Sequence, residues 1–350
     1  MTHVLVVLDG YAPGLAGAEH MAWQTASHLA ERGHRVAVLA ASSRPEAPGR
    51  VPVLTPAHAR AGLPWAPDVV HLFDLARPGL VPLALEVARS CGAVLAVTPA
   101  TTPELWPDRE LATAACREAG VVFALTGHET RELTAAGAVR QRVQRIGQGP
   151  QLTGRPDPGG FRADRDITGP AALFLGRRAP FKGYRAFLEA APLVWAREPS
   201  AVMVLAGPSW EGGAEAPLPR GGRFCDLGVP DGQTKHNAIA ACDVLCLPTT
   251  ADVFPLVFVE AWACGRPVVS GRFPGVEEVV RDEVDGLVVP SRPDAIAAAL
   301  LRLLGDPDLR ARMGRAGRRR VEAELGWDRV AEQVERGYRS AGAGGRTWTR

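Results

Sequence analysis

The chain alternates short, unbroken apolar runs with longer segments whose apolar residues recur at helical spacing. Runs at 3–8, 35–41, 68–72, 93–97 and 121–125 predict strands buried on both faces, and segments at 18–32, 80–90, 111–118 and 129–136 predict the helices between them. Such alternation predicts a parallel sheet flanked by helices, with ligands bound at the carboxyl ends of the strands. Residues 147–170 carry Gly and Pro throughout and almost no periodicity, which predicts a domain boundary. The pattern then restarts, with strands at 172–175, 201–205, 223–227, 243–247, 267–269 and 286–290. Helices are predicted over 184–197, 233–241, 256–264 and 274–280, over 294–324 with a break near Gly305–Pro307, and over 327–340. The reading is α/β, with one domain at 1–160, a second at 170–325, a last helix at 326–341 and a frayed tail at 342–350.

One stretch carries more chemistry than its neighbours. After the strand at 243–247 comes a polar turn, Thr249 to Val253, and Pro255 suits the first turn of the following helix, stopped by Gly265 and Pro267. From Leu256 to Cys264 every residue is apolar except Glu260, so the helix reads as buried all round with one carboxylate inside. A buried charge needs partners, because leaving it unpaired costs several kcal/mol. Asp252 precedes the helix N-terminus, where free amides and the helix dipole favour an anion. This predicts a phosphate cradle flanked by two carboxylates; the plainer alternative is a core Arg for Glu260 and a capping role for Asp252.

Composition narrows the class. At 350 residues, 46% hydrophobic and formally +2, the chain has room for two cores and no electrostatic footprint for nucleic acid. No apolar run approaches the ~20 residues that span a bilayer, and the run at 4–8 lacks the flanks of a signal peptide, so a cytoplasmic protein without stable membrane insertion is expected. Six cysteines sit mostly in apolar segments without a Cys-x-x-Cys pair, and Asp164-x-Asp166 lies in a polar linker with no His or Glu cluster beside it, so no metal site is expected. The arginines at 310, 312, 315, 318, 319 and 320, taken with Glu322 and Glu324, predict a solvated face.

Lys182 and Lys235 are the two lysines among 40 Lys plus Arg. Lys182 and Arg177 project from GRRAPFKG, a loop between strand and helix, where two cations can close on a diphosphate. In the first half, Gly10, Gly14 and Gly17 form a loop after the first strand that lets backbone approach a phosphate or sugar. Its spacing does not match the dinucleotide fingerprint G-x-G-x-x-G, which argues against a nicotinamide-dependent oxidoreductase. His71 ends a strand, either as a ligand contact or as a satisfied core histidine.

The segments GRRAPFKG, ADVFPLVFVEAWACGRPVV, PGVEEVVRDEVDGLVVP and GWDRVAEQVERGY, with GLAGAEHMAWQTASHLAERGHRVAVL and PDVVHL in the first half, resemble retaining glycosyltransferases of the GT-B fold, family (group) 4. The resemblance spans nearly the whole chain and is strongest from about 172 to 338. It implies two Rossmann-like doubly wound domains facing a cleft, an acceptor domain first and a nucleotide-sugar domain second, with the last helix crossing back to the first. It also implies metal-independent transfer of a sugar from a nucleotide-diphosphate sugar to a small-molecule or peripheral acceptor, with retention and without a cofactor. Position by position, Arg177 and Lys182 would hold the diphosphate, Asp252 the sugar, and Glu260 the ribose hydroxyls. Leu256 and Val257 would offer amides to the phosphates, Gly17 would admit the donor, and Gly14 and His71 would meet the acceptor; Asp226 to Val229 would lie near the base. The chain departs from the family pattern at Asp252, where Glu is usual, at Pro255 in Phe-Pro-Leu, near Ala100, where a histidine is common, and at Gln148-Gly149-Pro150. Those departures motivate an alternative, a catalytically weak or inactive nucleotide-sugar binder acting as a partner subunit.

Overall fold

The computed structural model describes residues 1–11, 17–43, 51–210, 217–220 and 223–342, and divides into two compact units, 1–148 with 326–350 and 149–325. The expected tail at 343–350 lies outside the described residues. In the first unit the strands are β1 (His3–Tyr11), β2 (Arg35–Ser43), β3 (Val53–Leu54), β4 (Val69–Phe73), β5 (Val94–Thr98), β6 (Val121–Ala124) and β7 (Val143–Arg145). They form one parallel sheet in the order β3-β2-β1-β4-β5-β6-β7. The helices between them are α1 (Gly17–Glu31), α2 (Pro56–Ala61), α3 (Val81–Cys91), α4 (Arg109–Glu118) and α5 (Gly127–Ala135). Because the sheet is covered on both faces, β1 is apolar at successive positions: Leu5 and Val7 join the core with α3 and α4, while Val4, Val6 and Leu8 join the one with α1.

The second unit opens with α6 (Pro158–Ala163), then β8 (Ala171–Leu175), α7 (Tyr184–Trp195), β9 (Val202–Ala206), β10 (Arg223–Asp226), α8 (Gly232–Ala241), β11 (Val244–Leu247) and α9 (Leu256–Ala263). It continues through β12 (Val268–Ser270), α10 (Val276–Val279), β13 (Gly286–Val288), α11 (Pro293–Gly305) and α12 (Pro307–Glu324). Its parallel sheet runs β10-β9-β8-β11-β12-β13. The unit begins at Gly149, near the start of the aperiodic stretch at 147–170 and ahead of the expected bounds at 160 and 170, because the intervening segment is tied to α8. Asp157 N donates to Asn237 Oδ1 (2.9 Å), Gln233 Nε2 to Arg155 O (2.9 Å), and His236 Nδ1 lies 3.0 Å from Thr153 O.

The last helix, α13 (Trp327–Ser340), belongs to the first unit. Val330, Val334 and Tyr338 face the core that contains Val4, Phe123 and the α1 side chains. A Cβ at Gly337 would stand 2.5 Å from the Phe123 ring, so a glycine is what lets the helix lie close on β6. Glu335 anchors the same helix, accepting from Arg32 Nε (2.7 Å), with His34 Nε2 3.0 Å away. These partners hold its carboxyl down at about 2.

The arginine-rich helix α12 corrects the expectation of a wholly solvated face. Arg310 donates to the carbonyls of Leu303 and Leu304 at the end of α11 (2.7 Å each), Arg318 to Ala263 O at the end of α9 (3.1 Å), and Arg320 to Val279 O (2.6 Å). Guanidinium groups there satisfy orphan carbonyls at helix C-termini. Arg312, Arg315 and Arg319 remain exposed.

Candidate active site

In the second unit the strand order reverses between β8 and β11, and the loops leaving their carboxyl ends part at that point. The loop after β8 closes in a 3-10 turn, Pro180–Lys182, followed by Gly183 at φ +72. A Cβ on Gly183 would run into Pro248, so both its dihedral and its space require glycine. The loop after β11 is tied to it: Thr250 N donates to Phe181 O (2.8 Å) and Thr249 Oγ1 to the same carbonyl (3.0 Å). The pairing brings Lys182 Nζ to 2.5 Å from Asp252 Oδ2, although the residues are 70 apart in sequence. Asp252 Oδ1 accepts from Val253 N (3.1 Å). Arg177, in the same loop, is exposed, and its guanidinium has no hydrogen-bond partner among the described residues.

Helix α9 starts at Leu256, as its apolar run predicted, but Pro255 is not in its first turn. Pro255 is instead the N-cap residue, with an extended ψ of 112°, and no side chain caps the amides behind it. A proline lacks the amide donor that a glycine would add there. Leu256 and Val257 are half-buried, whereas Phe258 to Trp262 are buried. One turn along, Glu260 is 0% exposed, and Lys235 Nζ of α8 sits 2.7 Å from its Oε1. Its other oxygen, Oε2, is buried and has no hydrogen-bond partner among the described residues. Burial pushes the Glu260 carboxyl up, and the Lys235 ammonium opposes that shift.

Arg178, beside Arg177, turns inward. It grips Asp226 at the end of β10 with both Nη atoms, one at 2.9 Å, while Nε donates to Gly207 O (3.2 Å). The Asp226 carboxylate, expected near the base, is thereby engaged by a guanidinium, which with the Gly228 amide holds its carboxyl below the usual range.

Residues 162–320, nearly all of this unit, match the family described as Glycosyl transferases group 1. The second unit is a group 1 glycosyl transferase domain. Among solved structures, HepE of Anabaena in complex with UDP-glucose superposes with a TM-score of 0.80 over 97% of this chain and 100% of that one, at 18% identity. A sucrose-phosphate synthase from Thermosynechococcus elongatus gives 0.75 over 97% and 98%, at 19% identity. The whole chain therefore has the GT-B fold. In sequence it is 37% identical over 224 residues to a D-inositol 3-phosphate glycosyltransferase of Frankia alni, covering 57% of this chain and 53% of that one. It is 34% identical over 179 residues to a GDP-mannose-dependent monoacylated alpha-(1-6)-phosphatidylinositol monomannoside mannosyltransferase of Corynebacterium glutamicum, covering 48% and 46%. The chain spans about half the length of the curated relatives it matches.

The group 1 domain thus gathers Arg177, Lys182, Asp252, Leu256, Val257 and Glu260 at one end of one sheet. The candidate acceptor residues fare differently. His71 takes the second of its two readings, a satisfied core histidine, and not the acceptor contact that the resemblance implied: it is fully buried on β4, with Nδ1 2.7 Å from the Tyr338 hydroxyl and Nε2 2.8 Å from Thr98 Oγ1, so both ring nitrogens are occupied inside the first unit. Burial lowers its pKa to about 3 and keeps it neutral. Gly14 lies outside the described residues. Gly17 opens α1, and a Cβ there would meet none of the described residues within 4 Å. Lys235 is the residue that sequence reasoning left without a role; its rarity was the available signal. No group of three or more His, Cys, Asp or Glu suited to a metal occurs among the described residues, and none of their helices is long and apolar enough to cross a membrane.

Proposed function

We propose that the protein is a retaining glycosyltransferase that moves a sugar from a nucleoside-diphosphate sugar to a hydroxyl-bearing acceptor. The observation that carries the reading is Glu260: a fully buried carboxylate with one oxygen unpartnered, a turn behind uncapped helix amides and in the same unit as the Lys182–Asp252 pair. A nucleoside diphosphate matches that arrangement end to end, with ribose hydroxyls donating to Oε2 and phosphates taking the amides of Leu256 and Val257. As the glycosidic bond breaks, positive charge grows at the anomeric carbon and negative charge on the departing diphosphate. Lys182 and the α9 N-terminus stabilise the latter from fixed positions, and the exposed Arg177 guanidinium closes on it when the donor binds. These groups supply the charge that a divalent metal would otherwise provide, so the proposed reaction needs neither metal nor cofactor. Asp252 holds Lys182 before the donor arrives and meets the transferred sugar afterwards.

The relatives named for D-inositol 3-phosphate and for a phosphatidylinositol mannoside make a hydroxyl-rich cyclitol or its glycoside the first acceptor class to test. We place the reaction in the cytoplasm, with a small-molecule or peripheral acceptor and no nucleic acid. The test is release of nucleoside diphosphate from UDP-, GDP- and ADP-hexoses in the presence of such acceptors, with the anomeric configuration of the product read by NMR. Acceptor-dependent release with retained configuration is expected. Release at background alongside normal nucleotide binding would leave a nucleotide-sugar binder instead.

A further inference from the structure

Lys235 is in contact with Glu260, the carboxylate proposed to take the donor's ribose, and the function above gives it no part. Lys235 lies on α8, whose start is fixed by Asp231, its Oδ1 accepting from Thr234 N (2.8 Å). Its side chain is 17% exposed and runs inward to Glu260 Oε1 at 2.7 Å, with Gln151 Oε1 3.5 Å away. Glu260 itself sits in the apolar interior of α9, between Val259 and Ala261, both 0% exposed. An ionised carboxylate in such a place persists only with a cation beside it.

We propose that Lys235 is a positioning residue for the nucleotide site: by gripping Glu260 Oε1 it keeps the carboxylate charged and leaves Oε2 as the free acceptor for a ribose diol. The inference rests on the nucleotide-sugar reading above. Its physical content is a division of labour between the two carboxylate oxygens, one held by the protein and one offered to ligand. The other ionisable groups packed around α9 do not substitute. Cys264 ends the helix, Cys246 lies on β11, and from α12 Arg318 donates to Ala263 O and Arg320 to Val279 O and Asp285. Among the described residues Lys235 is the charged side chain in contact with Glu260; the Gln151 amide faces the carboxylate and also favours its ionised form. Without Lys235, the upward push of burial on the carboxyl loses its main counterweight, the Gln151 backbone amide remaining, and Glu260 takes up its proton at higher pH than in the wild type. A protonated Glu260 has lost the charge that strengthens hydrogen bonds from the two ribose hydroxyls.

The test has two readouts. The first needs no ligand: the Glu260 carboxyl carbon is titrated by NMR in the wild type, in Lys235→Met and in Lys235→Arg, with Glu260→Gln to assign the signal. Lys235→Met should move the titration upward by a pH unit or more, and Lys235→Arg should restore most of it. An unmoved Glu260 titration in a folded Lys235→Met protein overturns the proposal. The second readout is calorimetric binding of UDP, GDP and ADP from pH 6 to 9, taken as the ratio of variant to wild type so that titration of the ligand cancels. Lys235→Met should bind the preferred nucleotide roughly tenfold more weakly per pH unit below the raised Glu260 value, and the deficit should close as pH rises. A deficit that is the same at every pH means that Lys235 merely attracts phosphate, and that also overturns the proposal. A wild type that binds none of the three, while the carboxyl titration moves as expected, overturns the nucleotide reading and not the hold of Lys235 on Glu260.

Discussion

Lys182 Nζ and Asp252 Oδ2 stand 2.5 Å apart, one on the loop after β8 and the other on the loop after β11, so the cation proposed to meet the donor diphosphate is already in the grip of a carboxylate. Lys182→Ala should lower kcat/KM by about 10²-fold or more, because it removes a charge aimed at the leaving group. Asp252→Asn should act in two directions: nucleoside diphosphate binds severalfold tighter once Lys182 is released, while turnover of the sugar donor falls. Calorimetry and steady-state rates on the same preparations check both. Near wild-type turnover in Lys182→Ala would remove it from the chemistry.

Glu260→Ala should weaken nucleoside diphosphate binding by roughly tenfold or more, the worth of a charge-assisted hydrogen bond or two. The variant removes one member of a buried pair and strands Lys235, so the comparison needs a fold check by circular dichroism. A folded Glu260→Ala with unchanged affinity would contradict the ribose role.

Two buried groups in the first unit should give opposite pH dependences of stability. His71 has its pKa lowered to about 3 by burial, against an ordinary 6.5 in the unfolded chain. Between those values the unfolded state binds the extra proton, so stability falls as pH drops. Glu129 is also buried, its Oε2 accepting from Leu125 N at 2.5 Å, and burial pushes its carboxyl up to about 7 from 4.5. From pH 4.5 to 7 the folded state holds the extra proton, so this group makes stability fall as pH rises. The wild type should therefore be nearly flat across pH 5 to 6.5. Glu129→Gln should uncover the His71 slope, roughly 1.4 kcal/mol per pH unit, and His71→Asn should uncover the reverse. Urea unfolding followed on the first unit's tryptophans measures each slope; equal slopes in all three proteins would refute the assignment.

The contact between α12 and α9 yields a packing test. A Cβ at Gly317 would overlap the Trp262 indole, whose Nε1 is fixed on Asp285 O at 2.8 Å. Gly317→Ala should cost about 1–3 kcal/mol and lower the Tm of the second unit. Gly305→Ala, at the end of α11 where a Cβ meets nothing, should be neutral or stabilising by up to about 1 kcal/mol. Calorimetric scans of the two variants separate a steric requirement from a loss of backbone freedom.

Much of this architecture could be read from the apolar runs, because strands covered on both faces write themselves as uninterrupted hydrophobic segments, as in β1, β4 and β11. The two-residue β3 has no such run, and α6 was hidden in a Gly/Pro-rich stretch. Asp157 before Pro158 was a legible helix start there, and its Oδ1 does accept from Gly160 N at 2.9 Å. At the candidate site, residue types and local spacing drew attention to Lys182, Asp252 and Glu260. Their partners are long-range facts: Lys235 is 25 residues from Glu260, Arg178 is 48 from Asp226, and Tyr338 is 267 from His71. Local pattern placed His71 at a strand's carboxyl end, yet what occupies its ring nitrogens arrives from the far end of the chain.

That distant arrival has a consequence for biosynthesis. The second unit is one continuous segment, 149–325, whereas the first is interrupted and includes α13, whose Val330, Val334 and Tyr338 complete a core face begun by residues 4–8. On the ribosome the second unit has all its parts while the first still waits, with the strip that α13 covers open and His71 missing its hydroxyl partner. The N-terminal half, translated first, is thus the last to become complete, and premature termination near residue 326 would release a finished second unit tethered to an unfinished, adhesive first one.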